Sequence, residues 1–412
     1  MFPGGCTLES AEEVCDADAD TLQSLLDKSL LRRRDTERGS RFWMLETVRQ
    51  FAAGELDRRG ELPTLEERFA AWALADAERA EPHLRGSDQL LWMAGIDDEL
   101  DNFRSALAHL LERGAADRPL RLLNALSWHF GRRGRFSELG ESFGRALAFP
   151  TGDLAVRCRA LLWVDPHATG DRNLQSIQEA LKIARSIGDP RLEGYALEMH
   201  AMLLIEDTGA SESAHVQDET LELLRQAGAL YDRSGAADDA ARLAINGAAA
   251  LLVMGRDEQA LATAEDATAR TRTQGNRHGT AVALLICAHA LTRLEGAQAA
   301  ATALIEAFGL LRELGEAELH GGYGFCLAAA IAAARGEDIA AARLIGVWDG
   351  VSERLGSWDD PAEIELRAGV LAVIELRLGR DRVRAERLGG RSLDAEASLG
   401  LAEKAVRDAV AE

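Results

Sequence analysis

Lysine is nearly missing from this chain. It occurs only at Lys28, Lys182 and Lys404, and none of the three follows a glycine. A Gly-Lys-Ser/Thr phosphate loop cannot be drawn, because its lysine must reach the phosphates beside a backbone nest. Cysteine is also sparse: Cys6, Cys15, Cys158, Cys287 and Cys326 form no CxxC pair. That leaves neither a disulfide framework nor a zinc site, and reduced thiols point to a cytoplasmic protein. Aromatic residues are 5% of the chain, and the Ala- and Leu-rich remainder favours helix over sheet. No basic-then-apolar leader opens the chain. The longest apolar run, near Ala281–Ala290, is too short and interrupted to span a bilayer, so no membrane partner is expected. Acidic residues outnumber basic ones, 68 to 47, for a net charge of −21. Such a surface repels nucleic acid and anionic lipid, so nucleic acid is not expected as a partner of this chain alone.

Catalytic constellations are equally scarce. None of the nine histidines falls in an HExxH pair, and no serine sits in a GxSxG elbow. His129 and His289 read as packed residues, as do Cys287 and Cys326. The sharpest local motif is Asp97-Asp98-x-x-Asp101. On a helix Asp97 and Asp101 share a face and could hold magnesium and a diphosphate, as in helical prenyl-chain enzymes. A solvated acidic face is the favoured reading, because no second metal motif accompanies it. The sequence therefore assigns no catalytic, cofactor-binding or metal residue, and the expectation is a protein that is not an enzyme.

What is present is helical periodicity. At 412 residues the chain has room for two or three domains. Glu9–Cys15 and Asp20–Lys28 read as short helices with Thr7 and Asp20 as N-caps. Leu30–Arg34 and Arg41–Leu45 flank a polar turn, which predicts a β-hairpin. Glu46–Arg59 follows as an amphipathic helix with Val48, Phe51, Ala52 and Leu56 on one face. Helices followed by a hairpin suggest a winged helix. Leu65–Ala80 and Gln89–Arg113 predict two long connector helices.

From about Pro119 the pattern repeats. Gly255, Gly296 and Gly336 form one series spaced by about forty residues, and Gly235, Gly275, Gly315 and Gly356 form a second. The series interleave at half that interval, so each unit is helix, turn, helix, turn, with glycine ending helices in the left-handed conformation. Small residues recur in register at Ala260, Ala301 and Ala341, where two helices can approach closely. A helix pair cannot bury its apolar face alone, so successive pairs must stack into a solenoid. Glu206–Asp218 reads as a longer loop within a repeat.

Several segments resemble one family. Phe2-Pro3-Gly4-Gly5-Cys6-Thr7-Leu8-Glu9, Leu25-Leu26-Asp27-Lys28-Ser29-Leu30-Leu31 and Arg41-Phe42-Trp43-Met44-Leu45-Glu46-Thr47-Val48-Arg49-Gln50-Phe51-Ala52 are similar to the winged-helix segment of large bacterial signal-transducing ATPases, the LuxR-type transcriptional regulators. Glu99-Leu100-Asp101-Asn102-Phe103-Arg104-Ser105-Ala106-Leu107 resembles their connector, and Ala341-Ala342-Arg343-Leu344-Ile345-Gly346 with Ser392-Leu393-Asp394 resembles their closing segment. The resemblance implies tetratricopeptide-like repeats that sense a signal or bind a partner, and a winged helix between them and an upstream nucleotide switch. The missing phosphate loop means that ATP hydrolysis is not carried over.

The expected architecture is all-α: an α-solenoid of tetratricopeptide-like helix pairs with a small N-terminal winged-helix remnant. Its expected divisions are a partial winged helix at 1–62, a helical connector at 63–118 and a repeat domain at 119–412. The expected role is a non-catalytic interaction and signal-sensing scaffold in a bacterial transcriptional regulatory system, needing no cofactor. Its partner would be a protein or small effector, with an ATPase domain in cis or in trans as a further candidate. The alternative is a fragment of a longer ATP-dependent regulator, and a magnesium enzyme built on Asp97, Asp98 and Asp101 is the least favoured. Tyr323, Trp348 and Trp358 are candidates to line a solenoid groove. Arg32, Arg33, Arg34, Arg38 and Arg41, on the expected hairpin, are candidates for a wing contact with phosphates.

Overall fold

The computed structural model describes residues 1–36, 38–114, 117–163, 170–206, 213–316, 321–355 and 361–410. Among them are twenty α-helices and one two-stranded sheet. The chain divides into two compact units, one of Met1–Leu84, Asp88–Phe130 and Glu138–Ala160, the other of Arg85–Ser87, Gly131–Ser137 and Leu161–Glu412.

The first unit opens with helices Leu8–Cys15 and Ala19–Asp27. Thr7 caps the first, its hydroxyl accepting from the Ser10 amide while Ser10 answers to the Thr7 amide. The second is capped by Asp18, not Asp20, because Asp18 Oδ1 accepts from the Thr21 amide at 2.8 Å and from its hydroxyl at 2.6 Å. Asp20 lies in the first turn, where a negative charge suits the helix dipole. Strands Leu31–Thr36 and Gly39–Met44 pair antiparallel, longer than the sequence pattern implied. The anticipated turn is absorbed into the ladder; Glu37 lies outside the described residues.

Cys6 exchanges both backbone hydrogen bonds with Phe42 at 2.8 Å, so the chain start lies along the free edge of the second strand. Gly5 makes this possible. Its φ is +78°, and a Cβ there would sit 2.8 Å from the Phe42 carbonyl. Phe2 then packs edge-on against Phe69 and Trp72 of helix Leu62–Ala80, with ring centroids 5.2 and 5.1 Å away. Helix Glu46–Arg58 buries no residue at all, and Phe51 is 67% exposed. Of the face read from the sequence, Val48, Ala52 and Leu56 are half-buried and Phe51 is not.

The second unit is a stack of helix pairs. Representative pairs are Ala237–Val253 with Asp257–Thr273, and Gly321–Ala334 with Asp338–Leu355. The glycine rhythm is structural: Gly235, Gly255, Gly275, Gly296, Gly315 and Gly336 all have positive φ, while Gly356 lies outside the described residues. Gly235 and Gly315 are left-handed C-caps, at φ 65° in both. Ala260, Ala301 and Ala341 are buried, as the close approach of paired helices requires. The core runs through Leu285, Leu304, Phe308, Phe325, Ile331, Leu344 and Ile345. Part of the expected Glu206–Asp218 loop is helix, since Ala214–Ser234 is continuous; residues 207–212 lie outside the described set. No helix among the described residues is long and apolar enough to cross a membrane.

Candidate functional sites

The first unit carries a polar clasp on helix Gln89–Glu112. Asn102 is fully buried. Its Oδ1 accepts from the Gly4 amide at 2.9 Å, and its Nδ2 donates to the Gly5 carbonyl at 2.8 Å and to Glu99. Arg41, from the second strand, ion-pairs with Glu99. Its other terminal nitrogen donates to the carbonyls of Gly4, Gly5 and Asp98 at 3.1, 3.2 and 3.2 Å. Burial opposes the charge on Arg41, but the Glu99 carboxylate outweighs it and holds the guanidinium pKa above its ordinary value. Three segments distant in sequence thus meet at one buried amide and one ion pair. The residues that carried the family resemblance, Gly4, Gly5, Arg41, Glu99 and Asn102, are the ones that touch.

Beside the clasp lies a cleft of about 370 Å³, walled by Glu9, Glu13, Arg38, Trp72, Asp76 and Trp92 among others. Arg38 reaches across it to Asp98 at 3.4 Å and lies over Gly95, where a Cβ would come within 2.5 Å of its guanidinium. The five arginines of the hairpin are therefore not one surface. Arg41 and Arg38 point to the long helix. Arg33 pairs with Asp35 at 2.8 Å. Arg32 and Arg34 are exposed and make no ion pair among the described residues.

The Asp97, Asp98 and Asp101 motif is likewise divided. Asp97 meets the buried His129 at 2.8 Å, Asp98 meets Arg38, and Asp101 meets Arg104 at 3.4 Å. The three carboxylates face three different partners and do not converge. No group of three metal-ligating side chains occurs among the described residues.

In the second unit, Trp348 is a core residue. It is 5% exposed, and a Cβ on Gly322 would fall 1.8 Å from its ring. Tyr323 is half-buried and its hydroxyl bonds Nδ1 of His289. Trp358 lies outside the described residues. Neither Tyr323 nor Trp348 lines the cleft of about 420 Å³ nearby, but His289 does, together with Arg293, Ala330, Glu365, Gly369 and Arg377. Burial, reinforced by Arg293, pushes the His289 pKa down to about 3, so the ring is neutral near pH 7.

A second buried network joins helices Pro190–Glu206, Ala214–Ser234 and Ala237–Val253. Glu198 accepts from the Tyr231 hydroxyl and the Asn246 amide, both at 2.7 Å, and meets Arg242 at 2.9 Å. Arg242 also pairs with Asp239 at 3.1 Å and stacks 4.4 Å over the Tyr195 ring. Burial works against the Arg242 charge, yet Glu198 keeps its pKa above the usual range. Nothing in the sequence marks this network, because its members are spread over three helices with no recognisable spacing. The same holds for the Arg293 cleft. Cys6 and Cys287 are buried thiols whose pKa values burial pushes up to about 12 and about 11, which makes them poor nucleophiles.

No protein-family model matches the chain. Proteins named as HTH-type transcriptional regulators, from Mycobacterium bovis and from two strains of Mycobacterium tuberculosis, are 31% identical over 214 residues, covering 46% of this chain and 24% of theirs. The match thus spans about a quarter of the length of these curated relatives. Among solved structures, a signal transduction ATPase with numerous domains and a tetratricopeptide repeat sensor, from Pyrococcus horikoshii, aligns over 98% of this chain and 63% of its own, at 15% identity and a TM-score of 0.40. A circular tandem repeat protein aligns over 98% and 93% at 14% identity and a TM-score of 0.25.

Proposed function

We propose that this chain is a non-catalytic, cytoplasmic scaffold of a bacterial transcriptional regulatory system, in which the helix pairs sense a signal by binding a protein or a small effector. In this reading residues 1–62 are a partial winged helix, 63–118 a connector and 119–412 the repeat array. The observation that carries it is the match over 214 residues to proteins named as HTH-type transcriptional regulators. The chemistry of the first unit supports it. Asp97 meets His129 while Asp98, Glu99 and Asp101 meet different arginines, so the carboxylates are not gathered round a common point as a magnesium site needs.

The test is affinity capture with the purified chain from native extract, read by quantitative mass spectrometry. Enrichment of a component of the transcription or signalling apparatus is the expected result. Capture of nothing above background, together with turnover of a small molecule by the chain, would sink the reading.

The greater length of the curated relatives favours a second reading, in which the chain works as part of a longer ATP-dependent regulator, with a nucleotide-binding domain in cis or in trans. An in-frame phosphate loop in the DNA upstream would support it, and a stop codon there with no co-purifying ATPase would remove it.

A further inference from the structure

We infer that the cleft bounded by helices Arg277–Leu294, Gly321–Ala334 and Pro361–Leu378 is a binding site for a small monocarboxylate with an apolar body. The ligand carboxylate would take the place that Glu365 now holds on Arg293, and its body would lie over Ala330, Ala334 and Gly369. This rests on the reading of the repeats as an effector-binding array and names the class of effector.

Size and lining come first. The cleft is open to solvent and has a volume of about 420 Å³, within the range of small-molecule sites. Its floor is made of residues with little side chain, Ala330, Ala333 and Ala334, and a Cβ built on Gly369 meets nothing within 4 Å. Leu366, Val370 and Val373 supply the apolar wall. The space is open, and the surface around it is greasy rather than polar.

The polar end is specific. One terminal nitrogen of Arg293 is fixed, donating to the Leu252 carbonyl at 2.8 Å and meeting Asp257 at 3.3 Å. The other holds Glu365, whose side chain is 74% exposed. So exposed a carboxylate gains little from the pairing and is easily exchanged. Glu365 therefore stands where an incoming carboxylate would bind, on an arginine already held in position.

His289 completes the site. It is 1% exposed, its Nδ1 is engaged by the Tyr323 hydroxyl, and its Nε2 has no partner among the described residues while the ring lines the cleft. Because the ring stays neutral, it adds a hydrogen bond without adding a charge. Arg377, also lining the cleft, gives one terminal nitrogen to the Ala333 carbonyl at 2.7 Å and to Asp338 at 3.1 Å.

The test is titration calorimetry of the full chain with octanoate at pH 7, with 1-octanol as the uncharged control. The inference expects saturable one-to-one binding of octanoate and at least tenfold weaker binding of octanol. Glu365→Ala removes the internal competitor and should tighten octanoate binding about threefold or more. A residue that merely braced the fold would not act in that direction. Gly369→Phe fills the cleft and should abolish binding without lowering the melting temperature. Absence of saturable binding, equal binding of octanol, or unchanged or weaker binding to Glu365→Ala would each overturn the inference. If octanoate fails while capture from extract succeeds, this site is rejected and the scaffold reading stands. If octanoate binds and capture fails, the site stands without a protein partner.

Discussion

Gly346 packs against the backbone of Arg387: a Cβ built on it would lie 2.0 Å from that carbonyl oxygen. Across the same helix crossing, a Cβ on Gly390 would lie 2.0 Å from the Arg343 carbonyl. Helices Asp338–Leu355 and Arg380–Arg391 touch backbone to backbone, and no rotamer change can relieve an added methyl. Gly346→Ala and Gly390→Ala should each destabilise the second unit by about 2 kcal/mol, the usual scale of overpacking. Gly369→Ala, with open space around it, should instead stabilise its helix by about 1 kcal/mol. Urea unfolding midpoints for the three variants check the contrast.

The clasp predicts a different kind of sensitivity. Asn102→Asp replaces the amide that donates to the Gly5 carbonyl with a second carboxylate beside Glu99. The lost donor and the new repulsion should together cost about 3 kcal/mol. The loss should be local first. Amide exchange at Cys6 and Phe42, which pair across the strand edge, should speed up before exchange slows or quickens anywhere in the repeats. Unchanged protection at those two amides would count against the clasp as the anchor of the chain start.

Arg242→Met should leave Glu198 buried without its counter-ion and cost about 3–5 kcal/mol. Adding Glu198→Leu to that variant should recover much of the loss, because both charges then leave together. A double-mutant cycle on thermal unfolding measures the coupling, and strictly additive effects would mean that the pair does not interact.

Stability should also fall with acid in a particular window. The His289 pKa is depressed in the folded protein to about 3 by burial, with Arg293 adding to the effect. A histidine in the unfolded chain titrates near 6.5. The unfolded state therefore binds the extra proton first. The contribution of His289 is fully present above about pH 6.5 and is lost progressively as the pH falls toward 3. Chemical denaturation at pH 7 and pH 5 should give a lower midpoint at pH 5, and His289→Gln should reduce that difference.

What the sequence disclosed was the part governed by local rules. Turn glycines at forty-residue intervals marked helix ends because a positive φ there favours glycine, and all six among the described residues adopt it. Thr7 was readable as a cap from its neighbours, whereas Asp18 and Asp20 offer the same chemistry two residues apart, and it is Asp18 that bonds the Thr21 amide and hydroxyl. Gly346 and Gly390 look like ordinary residues of Ala-rich helices; only the crossing of those helices gives them meaning. The clasp was visible as motifs but not as contacts, since Asn102 and Gly4 are 98 residues apart. Glu198, Arg242, Arg293 and Glu365 left no trace in spacing, because no local periodicity brings them together.

Helix Glu46–Arg58 contributes no buried side chain to the fold that carries it. Its outward residues, Phe51 foremost, can be exchanged with little cost to folding. Related chains should therefore drift freely at those positions unless something outside the fold constrains them. Any pattern retained there would be a record of an encounter, written on a surface that the protein itself has no reason to preserve.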